Sequence, residues 1–164
     1  MADEILSRRS THTGSKTKGT WSFWIKRNIF NGSATSTYMF YAYDGGNGEA
    51  LRFNDDDGGD SLRAFFWDSN SNGGSFINYD KLRDPSAWQH IMCVYDSTLN
   101  TADNMSNNDQ TLERVKIYVN GRRMIETGGT AGQNPGVPAN HLLDHWGNAG
   151  IVNSLFGVDT AANN

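Results

Sequence analysis

Asp84-Pro85-Ser86-Ala87-Trp88-Gln89-His90-Ile91-Met92-Cys93-Val94-Tyr95-Asp96 is followed, after a polar loop, by Arg114-Val115-Lys116-Ile117-Tyr118-Val119-Asn120-Gly121-Arg122-Arg123-Met124. Both stretches alternate with a period of two, as strands do. In the first, Trp88, His90, Met92, Val94 and Asp96 share one face, and Gln89, Ile91, Cys93 and Tyr95 share the other. Both faces are largely apolar, which predicts a central strand. Pro85 lies just before it, where a missing N–H does no harm. The second stretch ends in Asn120-Gly121, the strongest short signal for a tight hairpin. The loop between them, from Ser97 to Leu112, carries Asp103, Asn104, Asn107, Asn108 and Asp109. A hairpin connection that long is usually functional or mobile.

Further strands are read outward from this pair. Thr20 to Lys26 places Trp21, Phe23 and Ile25 on one face and Ser22, Trp24 and Lys26 on the other. Trp24 is read as core or as a cover for the open side of a sheet, with a sugar-stacking platform as the functional alternative. Tyr38 to Tyr43, Glu49 to Asn54, Ser61 to Trp67 and Phe76 to Tyr79 follow, divided by Asp/Asn/Gly/Ser turns. Short strands and turns at this even spacing predict an all-β sandwich. No segment holds a 3.6-residue period, so little or no helix is expected. The expected core is Phe23, Ile25, Leu51, Phe53, Phe65, Ile91, Cys93, Val94, Val115, Ile117 and Val119.

Composition bounds the function. The chain has 164 residues, enough for one domain with its own core. Its net charge of −4 gives no basic stripe of the kind nucleic acid requires. No apolar run approaches the length of a membrane span. Cys93 is the single cysteine and sits mid-strand, so it reads as a small buried hydrophobe and excludes an intrachain disulfide. The acidic opening Met1-Ala2-Asp3-Glu4 is not that of a secretory signal. These features together point to assembly in a reducing cytoplasm.

The paired strands, and the "phe-trp-ile-lys" strand before them, resemble laminin-G-like and pentraxin-like jelly rolls of the concanavalin A-type superfamily. The expected fold class is therefore all-β, a two-sheet antiparallel jelly-roll sandwich. A narrower resemblance runs through Leu6-Ser7-Arg8, Thr20-Trp21-Ser22-Phe23-Trp24-Ile25-Lys26-Arg27 and Leu82-Arg83-Asp84-Pro85-Ser86-Ala87-Trp88. These segments are similar to laminin-G-like domains of tailed-bacteriophage virion proteins. On this reading residues 1–19 are a polar lead-in, arm or edge segment, and residues 20–164 are the jelly roll. Family sequences normally add a final strand beside the N-terminal one, and no segment here matches its pattern. The expectation is that the parent protein is longer or that a neighbouring chain supplies the strand, because an open edge must be covered.

The resemblance implies a non-enzymatic virion structural domain, in a tail fibre, tail appendage or capsid decoration. Its expected partners are other virion proteins, including further copies of itself, with no nucleic acid and no membrane insertion. The alternative is a receptor-binding lectin for host glycans. The glycan candidates are aromatics beside polar turns: Trp67 with Asp68 and Asn70, and Trp146 with Asn148. Glucanases of the superfamily carry a Glu-x-Asp-x-x-Glu strand, and this sequence has no such spacing. No nucleophile-elbow, zinc-protease or phosphate-loop motif occurs either. His141 and His145 would stand about 13 Å apart on a strand, too far to share zinc. No cofactor is expected. Calcium is the one metal that the family resemblance suggests. Asp55, Asp56, Asp57 and Asp60 would offer it hard oxygen ligands, although such a run is also a plain solvated turn.

Overall fold

The computed structural model describes residues 6–9, 11, 13–27, 37–44, 47–54, 61–67, 73–78, 82, 84, 86–99, 113–124, 137–143, 145 and 152–158. Among the described residues, ten strands form two antiparallel sheets. In chain order they are β1 (Leu6–Arg9), β2 (Lys18–Ile25), β3 (Thr37–Asp44), β4 (Asn47–Asn54), β5 (Ser61–Trp67), β6 (Gly73–Asn78), β7 (Gln89–Asp96), β8 (Val115–Val119), β9 (Arg122–Arg123) and β10 (Val152–Val158). One sheet has six strands in the order β1-β10-β3-β4-β5-β6, and the other has four in the order β2-β7-β8-β9. Among the described residues only Glu113 and Arg114 are helical. The architecture is the expected jelly-roll sandwich.

The core lies between the sheets, and alternation decides which side chains enter it. Across the four-stranded sheet, Trp21 stands opposite Cys93, and Cys93 opposite Ile117. Across the six-stranded sheet the inward row runs Phe40, Leu51, Ala64, Phe76. The two layers meet where the Trp21 ring stacks on Phe40 at 4.5 Å and the Phe66 ring meets Tyr95 at 4.6 Å. Each fully buried Leu, Ile or Phe side chain in this layer contributes about 1.5–3 kcal/mol.

Local sequence explains three details. Asn120 and Gly121 both have positive φ, 52° and 79°, which makes the two-residue turn joining β8 to β9. The Asn120 side chain accepts from the His90 amide at 2.9 Å, and its own amide donates to the His90 carbonyl at 2.8 Å, so the turn is tied to β7. In β3 the register shifts between Tyr38 and Phe40, the mark of a bulge. The bulge turns Phe40 toward the core and leaves Tyr38 beside Arg52 on the outer face.

Three expectations change. Val94 and Phe65 are outward residues, paired with Thr20 and Lys116 and with Ala50 and Ser75 respectively. Their neighbours Cys93, Ala64 and Phe66 take the inward positions, since only one parity of a strand can face the core. Trp24 is not core: it is 62% exposed. The strand expected to be missing also has an occupant, because β10 lies between β1 and β3, beside the N-terminal strand. Its pairs, such as Leu6 with Leu155 and Phe40 with Leu155, need no second chain.

Candidate ligand-binding face

The outer side of the four-stranded sheet carries the clearest surface feature. From β2 it presents Lys18, Thr20, Ser22 and Trp24, whose alternate partners in that strand face inward. From β7 it presents His90, Met92, Val94 and Asp96, and from β8 it presents Lys116 and Tyr118. The register aligns Trp24 with His90, Ser22 with Met92 and Tyr118, and Lys18 with Asp96. Trp88 precedes β7 by one residue and shares the parity of His90. Carried one residue beyond β7, the register would set Trp88 diagonal to Trp24, a position usually about 7–8 Å away at the backbone. Each is 62% exposed. Exposed apolar patches larger than a single side chain mark contact sites.

Around Trp24 the geometry is defined. Its ring lies 5.1 Å from that of His90, tilted by 36°. His90 Nε2 lies 2.8 Å from Ser22 Oγ. The imidazole is therefore held between a hydroxyl and an indole. This Ser–His contact has the length of a nucleophile–base pair. Among the described residues His90 meets Ser22, Trp24 and Asn120, and no carboxylate orients the ring as a catalytic triad would. What the arrangement offers is an apolar plate beside hydrogen-bonding groups.

Ion pairs lie farther along the same sheet. Lys18 pairs with Asp96 at 3.0 Å, and Glu113 pairs with Arg123 at 3.0 Å and Lys116 at 3.2 Å. The hydrogen bond from Thr98, and then Lys18, hold the Asp96 carboxyl below its usual range. Arg123, then Lys116, do the same for Glu113. Near Trp88, the Ser86 hydroxyl and amide donate to Asp84 and lower its pKa. On the inner side, burial pushes the Cys93 thiol up to about 12, so it behaves as the inert hydrophobe expected from sequence.

A family model described as the concanavalin A-like lectin/glucanases superfamily (Laminin_G_3) matches residues 4–150. The chain belongs to this superfamily. Among solved structures it is similar to the crystal structure of the botulinum neurotoxin serotype G binding domain. The TM-score is 0.50 at 11% identity, over 94% of this chain and 36% of the toxin chain. At that identity the likeness is one of fold. No curated protein matches the sequence.

As a member of this superfamily, the chain keeps most of the sites expected from its sequence outside the described residues. Asp68, Asn70, Trp146, Asn148, Asp55, Asp56, Asp57 and Asp60 all lie there. Only the backbone of Trp67 is described, as the last residue of β5 opposite Gly73. His141 and His145 are not on a strand, and both are buried. No group of metal-ligating side chains occurs among the described residues, nor does any helix there have the length and apolarity to cross a membrane. Sequence reasoning underrated Trp24 and passed over Trp88 as a surface group. The available signal was their shared parity with Ser22, Lys26 and His90, the polar positions of their strands.

Proposed function

We propose that this chain is a non-enzymatic binding domain of a tailed-bacteriophage virion, and that its ligand is a surface glycan held on the Trp24–Trp88 face. The exposure of both tryptophans on one sheet face carries the reading. A pyranose ring offers apolar C–H groups on its flat side and hydroxyls at its edge. The flat side suits an indole, and the edge suits Ser22 and His90. The virion setting is supported by the resemblance of the Arg83-Asp84-Pro85-Ser86-Ala87-Trp88 segment, whose tryptophan is one of the two exposed plates. The binding role is in keeping with the fold neighbour, a toxin's binding domain. Assembly in the host cytoplasm into a tail fibre, appendage or decoration made of several copies completes the proposal.

A second reading is packing against another virion chain. Met92, Tyr118 and Arg123 continue the patch across the sheet, and aromatic, Met and Arg side chains are the types enriched at interface centres. Strand completion by a neighbour no longer argues for it, since β10 occupies that place. Glycan-array screening followed by titration of the best hit separates the two. The expected result is saturable binding that weakens at least tenfold, about 1.4 kcal/mol, in Trp24→Ala or Trp88→Ala. No glycan binding, with the face covered by a second chain in cryo-electron microscopy of the particle, selects the packing reading. A bare face and no glycan binding would sink both.

A further inference from the structure

We propose that β2 is a docking edge for a second copy of this chain, and that two copies join their four-stranded sheets by antiparallel β2–β2 pairing about a two-fold axis.

Hydrogen-bond parity defines the edge. β2 lies at the end of its sheet, with β7 on one side. The Ser97 amide donates to the Thr17 carbonyl at 2.9 Å, so these two residues form a bonded pair just beyond the strand. Bonded and non-bonded pairs alternate along an antiparallel ladder. Counted along the register, Gly19, Trp21, Phe23 and Ile25 bond to β7. Lys18, Thr20, Ser22 and Trp24 then turn their N–H and C=O groups away from β7. The Lys18 amide agrees with this count, because it donates to Ser15 Oγ at 3.2 Å. The N–H groups of Thr20, Ser22 and Trp24, with the carbonyls of all four residues, line this side. Among the described residues no strand meets them.

The strands that end the two sheets are not alike. β1 has four residues and finishes in Arg8-Arg9. β9 is Arg122-Arg123 alone. Short length and charge are the usual guards against edge pairing. β6 opens with Gly73-Gly74, and glycine weakens a strand. β2 has eight residues, a single charge at one end, no proline and an unbroken register with β7. Its inner margin is also incompletely covered. Phe23 and Ile25 have the inward parity but are only partly buried, whereas Ile91 and Cys93 in the next strand are fully enclosed. A strand laid beside β2 would bond the outward amides and cover that margin together.

The sequence of β2 suits a second β2 as the occupant. A two-fold axis normal to the sheet makes the contact isologous and closed. The outward groups bond only when even-numbered residues face even-numbered ones. Centring on Trp21 sets Thr20 opposite Ser22 and Lys18 opposite Trp24 of the other copy, so hydroxyl meets hydroxyl and no like charges face. Centring on Ser22 would bring Lys18 opposite Lys26, and like charges oppose that register. The Trp21-centred pairing makes one continuous sheet and turns both outer faces to the same side. The two Trp24 residues then stand about 20 Å apart along the strands. For a glycan-coated surface this gives each dimer two plates, although the pairing itself does not rest on the glycan reading.

Sedimentation velocity and single-residue hydrogen exchange, over one dilution series, test this. The expected species has twice the 18.1 kDa mass of the chain. The Thr20, Ser22 and Trp24 amides are expected to be protected in it. On dilution to the monomer they lose protection by at least about tenfold, while the Cys93 amide, which bonds to β2 within each copy, keeps its own. Thr20→Pro removes one outward N–H, a change that an edge strand tolerates, and is expected to give a folded monomer. A chain that stays monomeric at every concentration would overturn the inference. So would a dimer whose outward amides exchange rapidly, a dimer that survives in Thr20→Pro, or outward amides that stay protected in the monomer. If the proline variant does not fold, the exchange pattern of the unaltered chain decides alone.

Discussion

The two sheets each have an open face, and both carry aromatics, but among the described residues only one leaves them in water. On the six-stranded sheet, Tyr38 is 8% exposed, and its ring packs against Tyr41 at 5.3 Å and Phe65 at 6.4 Å. Arg52 stands opposite Tyr38 in register, with its guanidinium carbon 5.7 Å from the centres of both the Tyr38 and Phe65 rings. On the four-stranded sheet, Trp24 stands opposite His90, and its neighbour in the strand is Ser22. A long cationic side chain can lay its stem over a ring and keep its head in water. Serine and histidine cannot. What separates the packed outer face from the open one is therefore whether a long side chain lies over the rings, as Arg52 does over Tyr38 and Phe65, whereas among the described residues the contact of the Trp24 ring is with His90.

Replacing Trp21 sets the scale for this comparison. Trp21 belongs to the same strand as Trp24 but faces inward, 5% exposed and stacked on Phe40. Trp21→Ala is expected to lower stability by about 3–5 kcal/mol in a denaturant titration, the usual cost of emptying an aromatic core site. A loss below about 1 kcal/mol would mean that the two faces of β2 do not differ in kind.

That contrast was partly legible in the sequence. The parity of β2 put Trp21, Phe23 and Ile25 on one side, and all three meet the core. The Asn120-Gly121 turn and the central position of β7 were legible for the same reason: each depends on local chemistry or simple alternation. Failures came where alternation is ambiguous. Phe65 and Phe66 are consecutive, and so are Cys93 and Val94, so hydrophobicity could not say which member turns inward. Tyr38 and Phe40 share a parity, and only the bulge between them sends one ring out and the other in. The Glu49–His145 contact joins residues 96 apart, and no local pattern announces it. Trp24 was misjudged because tryptophan is usually buried, although its strand position argued for the surface.

Arg52 is the next place to press. If its side chain keeps the six-stranded face closed, Arg52→Ala should cost about 1 kcal/mol through lost cation–π contact and stem packing. Its Nη1 also donates to the Tyr38 hydroxyl at 3.4 Å, a long bond that adds little. The variant should leave Tyr38 more open to small aqueous quenchers of its fluorescence. Unchanged stability and unchanged Tyr38 accessibility would show that the face is closed by something other than Arg52.

The smallest expected effect on stability is the most telling. Trp24 buries little, so Trp24→Ala should change unfolding free energy by no more than about 0.5 kcal/mol, as surface substitutions usually do. The ring contact with His90 is its one defined interaction among the described residues, and an exposed contact of that kind is worth little in water. A protein that loses glycan binding in this variant while keeping its stability uses the indole for a ligand and not for its own fold. A stability loss as large as that of Trp21→Ala would reverse the argument. It would mean that the ring is covered in solution, and that the open face of the four-stranded sheet is packed like that of its neighbour.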